Sequence, residues 1–196
     1  MNLPNKLTIL RIILVPIIVI FLLCDFIEHR YVYAFVVFLL SSYTDHMDGK
    51  IARSSGKITD FGKFADPLAD KILVISSLIC LVKLNLVSVV ALLVIVCREF
   101  VVTSIRLVAV EYKKVIPANN LGKLKTVSQM SAILSIIGMQ AAREFVDYFG
   151  DYGNVAMYDL AADTIGQIFI WITVVMTVIS GVVYIYENRE LIKDVG

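Results

Sequence analysis

The chain has 196 residues, of which 59% are hydrophobic, and its mean hydropathy is +0.83. A soluble domain is typically ~45–50% apolar, and the excess here comes in long runs, so the composition excludes an ordinary soluble fold and indicates one membrane domain over residues 1–196. The formal net charge of +1 gives no indication of nucleic-acid binding, and the three cysteines show no C-x-x-C pair or disulfide framework.

Six segments are long and apolar enough to be transmembrane helices, which need ~20 residues to cross the hydrocarbon core. They run from Leu7 to Phe26, Tyr31 to Arg53, Gly62 to Leu84, Val87 to Val110, Leu124 to Ala142 and Asp163 to Tyr186. The sequence therefore predicts an all-α, polytopic membrane protein that is a six-helix bundle. No small-x-small cleavage pattern follows the first segment, which we interpret as a retained helix and not as a signal peptide.

Basic residues are distributed unevenly around these segments. If the N-terminus is cytoplasmic, most lysines and arginines fall on the cytoplasmic side, and only Arg30, Lys83 and Arg143 fall on the other. Because cytoplasmic loops carry the excess of basic residues, we expect a multi-pass protein of the cell membrane with both termini in the cytoplasm. The opposite loop, between spans five and six, is expected to be acidic and solvated, with Glu144 and Asp159 in it.

Four aspartates converge where the second span ends and the third begins. Asp45 and Asp48 are spaced i,i+3, and Asp66 and Asp70 are spaced i,i+4, so each pair shares one helix face. Charges beside long apolar runs are costly and usually functional. Short carboxylates together with a phosphate-bearing substrate favour Mg²⁺ or Mn²⁺, and two such ions can clamp an in-line phosphoryl displacement.

The residues alone leave other interpretations of these acids open. The four carboxylates could form a solvated edge, pair with neighbouring lysines and arginines, or line a proton or ion pathway. The small residues Gly49, Ala52 and Gly62 beside them favour a site that a ligand or another backbone approaches closely. Pro67 is expected to disturb helical hydrogen bonding at the start of the third span.

The spacing of these residues resembles the signature of the CDP-alcohol phosphatidyltransferase family, D-x2-D-G-x2-A-R-x8-G-x3-D-x3-D. Its fixed positions are filled by Asp45, Asp48, Gly49, Ala52, Arg53, Gly62, Asp66 and Asp70. The resemblance covers essentially the whole chain. It implies a transferase in the lipid bilayer that binds CDP-diacylglycerol and two divalent cations per active site, Mg²⁺ or Mn²⁺, and releases CMP. Members of the family often form homodimers.

The resemblance also implies roles for individual residues. Asp45, Asp48, Asp66 and Asp70 would hold the metals, and Asp70 would also be the base that accepts the proton of the attacking hydroxyl. The CDP-lipid would be bound by Asp48, Gly49, Ala52, Arg53 and Gly62, joined by Asn5 and Thr8 of the first span.

Asn5, Thr8 and Arg11 recur at i, i+3 and i+6 of the first span, which puts them on one stripe of the helix. We interpret this stripe as facing a cavity, where Asn5 and Thr8 would meet the CDP-lipid. The competing interpretation is that Asn5 caps the helix and Arg11 extends to the lipid headgroups.

Three further segments, residues 2–11, 98–107 and 122–130, resemble family members whose acceptor is glycerol 3-phosphate. The expected reaction joins CDP-diacylglycerol and sn-glycerol 3-phosphate to give phosphatidylglycerophosphate and CMP. One alternative is the same chemistry with inositol, inositol phosphate, serine or phosphatidylglycerol as acceptor. An alternative from a different class is a small cation transporter that uses the acids as an ion site.

Glycerol 3-phosphate is a dianion near neutral pH, so its pocket needs fixed cations, for which we predict Arg98, Arg106, Lys123 and Lys125. For the lysines, positive-inside topology is an equally good explanation. Arg98 is different, because an unpaired arginine in mid-span costs at least ~2.5 kcal/mol. Glu99 points about 100° away around the helix, so we expect Arg98 to pair with a motif aspartate or with substrate phosphate instead.

Overall fold

The computed structural model describes residues 3–55, 60–112, 120–149 and 155–189, and within these ranges the side chains of residues 3–4, 45–55, 60–61, 63–64, 149 and 155–156 fall outside the description. The described residues contain six α-helices and no strand. In chain order the helices are α1 (Leu3–Leu23), α2 (Arg30–Ser55), α3 (Asp60–Lys83), α4 (Val89–Glu111), α5 (Asn120–Phe149) and α6 (Val155–Glu187).

The all-α prediction is confirmed for the described residues, and the main differences are in the helix ends. α5 has 30 residues and α6 has 33, more than the ~20 that cross the hydrocarbon core. Glu144 and Asp159 therefore lie in helices, and the prediction of a loop there was wrong for both. The cause is that backbone hydrogen bonding continues past the end of an apolar run, whereas hydropathy marks only the run itself.

The helices pack in the cyclic order α1, α2, α5, α6, α4, α3 and back to α1, and α3 also contacts α5. Most of the large side chains buried inside this ring are apolar. Its fully buried large side chains include Ile18, Leu22, Phe38, Leu73, Leu78, Leu81, Ile95, Ile133, Ile137 and Ile170. This order brings α1 against α3, and it gathers α3, α4, α5 and α6 around one region, which positions the site described below.

The outer surface of the bundle carries many exposed large apolar side chains on its helices. Among the described residues, two helical segments, Asn5–Leu23 and Met157–Glu187, are long and apolar enough to cross a membrane, fewer than the six spans that the sequence predicted. An exposed apolar belt on long helices indicates a protein that associates with membrane. A crossing by all six helices remains a prediction.

Glu144 of α5 holds the first turn of α2. The Glu144 carboxylate accepts hydrogen bonds from the backbone N–H groups of Tyr31 (3.2 Å) and Val32 (3.3 Å). It thereby satisfies donors that the first turn of α2 leaves unpaired and ties α2 to α5.

Pro67 lies within α3, and the helix continues through it, so the disturbance expected there does not break the helix.

Candidate active site

Two of the four predicted metal-binding aspartates, Asp66 and Asp70, have described side chains, and both are contacted by α1. The Thr8 hydroxyl donates a hydrogen bond to Asp66 Oδ1. Arg11 Nη1 donates to Asp70 Oδ1 at 2.9 Å. Thr8 and Arg11, three positions apart on α1, thus contact two aspartates that are four positions apart on α3. The contacts form because the two helices pack along these faces.

The polar stripe on α1 faces inward. Asn5 is 8% exposed, and Thr8 and Arg11 are 0% exposed. Since α1 begins at Leu3, Asn5 lies inside the helix and not at its N-cap. The competing interpretation, with Arg11 extending to lipid headgroups, is therefore wrong, because its guanidinium is buried against Asp70.

A cavity of about 270 Å³ opens beside Asp70, between α3, α4, α5 and α6. Its polar lining comes from all four helices. The polar and charged lining residues are Asp70, Lys71, Arg98, Glu99, Thr103, Arg106, Lys123, Lys125, Thr126, Gln129, Ser180 and Tyr184. The volume is close to the lower end of the ~300–1,000 Å³ typical of small-molecule sites.

All four predicted acceptor-binding cations, Arg98, Arg106, Lys123 and Lys125, line this cavity, and the structure adds Lys71 as a fifth. Among the lining residues that the structure describes, the acids are Asp70 and Glu99. The two acids do not neutralise the five cations, so the described part of the wall carries a net positive charge. Such a wall attracts a multiply charged anion.

Arg98 has two partners that the sequence did not predict. Its Nη1 lies 3.6 Å from Glu99 Oε1, and its Nη2 donates to Ser180 Oγ at 2.5 Å. The expectation that Glu99 is a poor partner was wrong, because two long side chains can span the angle between adjacent helical positions. The Glu99 carboxylate also forms an ion pair with Lys125 of α5. None of the motif aspartates with described side chains contacts Arg98.

Three buried donors on the cavity wall have no hydrogen-bond partner among the described residues: Arg98 Nε, Gln129 Nε2 and the Tyr184 hydroxyl. Gln129 is 3% exposed and lies one helical turn after Lys125. Buried polar atoms are rarely left without a partner. Donors of this kind at a cation-rich cavity indicate a ligand that offers acceptor oxygens.

Sequence reasoning gave no site role to Lys71, Glu99 or Gln129. Lys71 donates a hydrogen bond to the Thr103 hydroxyl across the α3–α4 contact, and Thr103 in turn donates to the Glu99 backbone carbonyl at 2.6 Å. A signal existed for Glu99, since an acid inside an apolar run is costly unless it has a partner. For Gln129 the signal was its i+4 position relative to Lys125.

The first half of the signature lies in the last turns of α2, where the backbone is helical but the side chains fall outside the described residues. The predicted roles of Asp45, Asp48, Gly49, Ala52 and Arg53 therefore stay predictions. Gly62, at the start of α3, is buried.

The residues fit a divalent cation by their donor type. Among the described side chains, no three or more His, Cys, Asp or Glu residues form a cluster, so a metal centre here requires the α2 aspartates as well. Asp66 and Asp70 present carboxylate oxygens, the donors that Mg²⁺ and Mn²⁺ take. Each is oriented by a partner on α1, as metal-binding carboxylates usually are by an outer shell.

Comparison with known proteins agrees with this arrangement. The family model for CDP-alcohol phosphatidyltransferase matches residues 1–179. A CDP-diacylglycerol–glycerol-3-phosphate 3-phosphatidyltransferase of Bacillus subtilis (strain 168) is 37% identical over 203 residues, covering 98% of this chain and 97% of its own. A relative of the same name from Rickettsia typhi is 37% identical and covers 93% of this chain and 94% of its own.

A probable phosphatidylglycerophosphate synthase of Mycobacterium tuberculosis (strain H37Rv) is 35% identical and covers 100% of this chain and 84% of its own. Both the family match and the relatives extend over most of the chain. The chain therefore belongs to the CDP-alcohol phosphatidyltransferase family, and it is a phosphotransferase enzyme of phospholipid biosynthesis.

Proposed function

We propose that this enzyme transfers the phosphatidyl group of CDP-diacylglycerol to sn-glycerol 3-phosphate, giving phosphatidylglycerophosphate and CMP. The observation that carries the choice of acceptor is the cavity wall, where five cations surround a space beside Asp70. The relatives from Bacillus subtilis and Rickettsia typhi are named for this reaction. A neutral acceptor such as inositol or serine would have no use for so many fixed cations.

The acceptor's phosphate would bind to Arg98, Arg106, Lys123 and Lys125. Charge-assisted hydrogen bonds from such groups are roughly twice as strong as neutral ones, and a guanidinium can meet a phosphate with two parallel bonds. Because Asp70 lines the same cavity, a phosphate held by these cations would leave the acceptor's hydroxyl within reach of Asp70.

Asp70 would act as the general base. The acceptor's hydroxyl oxygen forms a bond to the phosphorus that carries the diacylglycerol, and the phosphoanhydride bond to CMP breaks. CMP leaves with the bonding electron pair, and the hydroxyl proton passes to the Asp70 carboxylate. Arg11 keeps this carboxylate in position through the 2.9 Å ion pair, which fixes its geometry before the acceptor arrives.

Asp45, Asp48, Asp66 and Asp70 would hold two divalent cations, Mg²⁺ or Mn²⁺. Bound there, the cations would supply neutralisation of the charge that builds up on the diphosphate oxygens. The CDP-lipid would lie along Asn5, Thr8, Asp48, Gly49, Ala52, Arg53 and Gly62. Asn5, Thr8 and Gly62 are buried, and Thr8 is hydrogen-bonded to Asp66, which supports a site at the α1–α3 contact.

We also propose a membrane topology with six crossings. Six membrane crossings would leave both termini and the polar end of the bundle in the cytoplasm, because the basic residues concentrate on that side. The lipid tails could then remain in the inner leaflet while the headgroup enters the site. The water-soluble acceptor would reach the basic cavity from the cytoplasm.

An acceptor panel tests the proposed function. The purified full-length protein is incubated in detergent with CDP-diacylglycerol and Mg²⁺, and CMP release is measured with glycerol 3-phosphate, inositol, inositol phosphate, serine or phosphatidylglycerol. We expect release with glycerol 3-phosphate and little with the others. Release with a different acceptor would overturn the assignment of substrate, and cation flux without CMP release would point to a transporter.

A further inference from the structure

Glu99 of α4 holds two cations of the cavity at once. Its carboxylate forms an ion pair with Lys125 of α5 and lies 3.6 Å from Arg98 Nη1. The three side chains are largely buried, with exposed fractions of 15% for Glu99, 3% for Lys125 and 12% for Arg98. One acid therefore links the deepest cations of the cavity across two helices.

Lys125 and Arg98 need the Glu99 carboxylate in order to lie close together in the cavity lining. Buried charges of like sign repel strongly in a low dielectric, and each must have a partner of opposite charge. Asp70, the other acid among the described lining residues, is engaged with Arg11 of α1. Without the Glu99 carboxylate, the Lys125 ammonium and the Arg98 guanidinium are expected to move apart.

The same turn of α4 also contacts a third cation. The Glu99 backbone carbonyl accepts a hydrogen bond from Thr103 at 2.6 Å, and the Thr103 hydroxyl accepts one from Lys71 of α3. On the far side, Arg98 is fixed to α6 through Ser180. Cations from α3, α4 and α5 are thus arranged around a single helical turn.

We propose that Glu99 is a positioning residue of the acceptor site, which aims Lys125 and Arg98 at one phosphate group. This inference rests on the proposed function for the identity of the phosphate, and on the geometry alone for the role of the acid. The role differs from two simpler ones. A carboxylate that only adds negative charge would weaken phosphate binding, and a carboxylate that only braces the fold would affect both substrates alike.

Kinetics of the Glu99→Gln, Lys125→Met and double variants distinguish these roles in the full-length enzyme. We expect Glu99→Gln to raise the KM for glycerol 3-phosphate about 10-fold, because the cations lose their common partner. The KM for CDP-diacylglycerol should change less than about 2-fold. Since Glu99 acts partly through Lys125, the loss in the double variant should be smaller than the product of the two single losses.

Two further variants sharpen the comparison. Glu99→Asp keeps the charge on a shorter stem and should recover part of the loss. Asp159→Asn is the control. It removes the carboxylate that pairs with Arg143, which lies at the opposite end of α5 from Lys125, and it should leave both KM values unchanged. A lower acceptor KM in Glu99→Gln would mean that the acid repels the phosphate, and equal, additive losses for both substrates would mean that it only braces the fold.

A binding measurement separates this inference from the proposed function. Inorganic phosphate should raise the thermal unfolding temperature of the wild-type protein, and the rise should be smaller in Glu99→Gln. If the wild type releases no CMP with glycerol 3-phosphate but shows this difference, the acceptor assignment is wrong and the positioning role stands. An equal rise in both proteins would overturn the positioning role whatever the acceptor.

Discussion

Arg11 of α1 and Asp70 of α3, which are 59 positions apart in the chain, form an ion pair with 2.9 Å between Nη1 and Oδ1. The arginine is fully buried, whereas the aspartate side chain is 34% exposed and lines the cavity. The carboxylate is therefore held from its buried side and remains accessible to a substrate. This is the arrangement expected of a general base whose orientation is set in advance.

Arg11→Met should impair turnover more than folding. Without the guanidinium, the Asp70 carboxylate can rotate away from the acceptor's hydroxyl. A hydrogen bond to a charged group contributes about 1.5–3 kcal/mol, so we expect kcat to fall roughly 10- to 100-fold. Arg11→Lys keeps the positive charge but lacks the planar guanidinium, so its kcat should lie between those of the wild type and Arg11→Met. CMP release and thermal unfolding, both measured in detergent, check this expectation.

The matched control for Arg11 is Arg143→Met. Arg143 pairs with Asp159 at 2.8 Å, and both side chains are more than one-third exposed, at 43% and 37%. An exposed pair contributes only about 0–1 kcal/mol, so kcat should stay near the wild-type value. Equal losses in the two variants would show that Arg11 supports the bundle and has no particular effect on Asp70.

Asp70→Asn should abolish most turnover and leave the fold intact. The amide keeps the size of the carboxylate and can still accept a hydrogen bond from Arg11, but it cannot take up the hydroxyl proton. General-base catalysis contributes typically about 10²–10⁴-fold, and kcat should fall by that factor. CMP binding, measured by calorimetry, should persist. Normal turnover in this variant would remove Asp70 from the role of base.

Thr8→Val should change the metal dependence of the reaction, because the Thr8 hydroxyl donates to Asp66. Loss of an outer-shell partner typically weakens metal binding about 10- to 100-fold. The Mg²⁺ concentration that gives half-maximal CMP release should rise by at least the lower factor, whereas Thr8→Ser, which keeps the hydroxyl, should behave like the wild type. Chelation with EDTA should abolish release in all three proteins, and Mg²⁺ or Mn²⁺ should restore it.

An unchanged Mg²⁺ titration in Thr8→Val, combined with a higher KM for CDP-diacylglycerol, would give Thr8 a different role. The residue would then contact the lipid substrate and not act through Asp66. Both outcomes are consistent with a buried hydroxyl on the inner face of α1, and only the metal titration separates them.

The sequence predicted where the helices lie and which residues share a helix face better than it predicted which helices pack together. Apolar runs mark helix interiors, and the i,i+4 spacing is sufficient to put Asp66 and Asp70 on one face. Periodicity within one helix does not say which other helix covers that face. The contacts of Thr8 and Arg11 with the aspartates depend on the packing of α1 against α3, which one sequence does not contain.

The basic residues of the cavity were predictable from the sequence, but the ion pairs among its lining residues were not. Charge and topology indicated Arg98, Arg106, Lys123 and Lys125, and all four line one cavity. The error concerned Glu99, which was judged a poor partner for Arg98 from the angle between adjacent positions on an ideal helix. Long side chains adopt rotamers that cross this angle, and the second partner of Glu99, Lys125, comes from a different helix.

Gly181→Ala tests whether the position of Arg98 controls acceptor binding. A Cβ at Gly181 of α6 would lie 3.0 Å from Arg98 Cγ, so the arginine stem would have to move and take its guanidinium with it. Overpacking of this kind costs about 1–3 kcal/mol, and we expect the KM for glycerol 3-phosphate to rise about 5-fold or more. Gly166→Ala is the matched control on the same helix, because its Cβ would lie 3.2 Å from Ile136 Cγ1, away from the cavity. It should lower the unfolding temperature without changing either KM, and identical KM values in the two variants would show that Arg98 accommodates the methyl group without moving its charge.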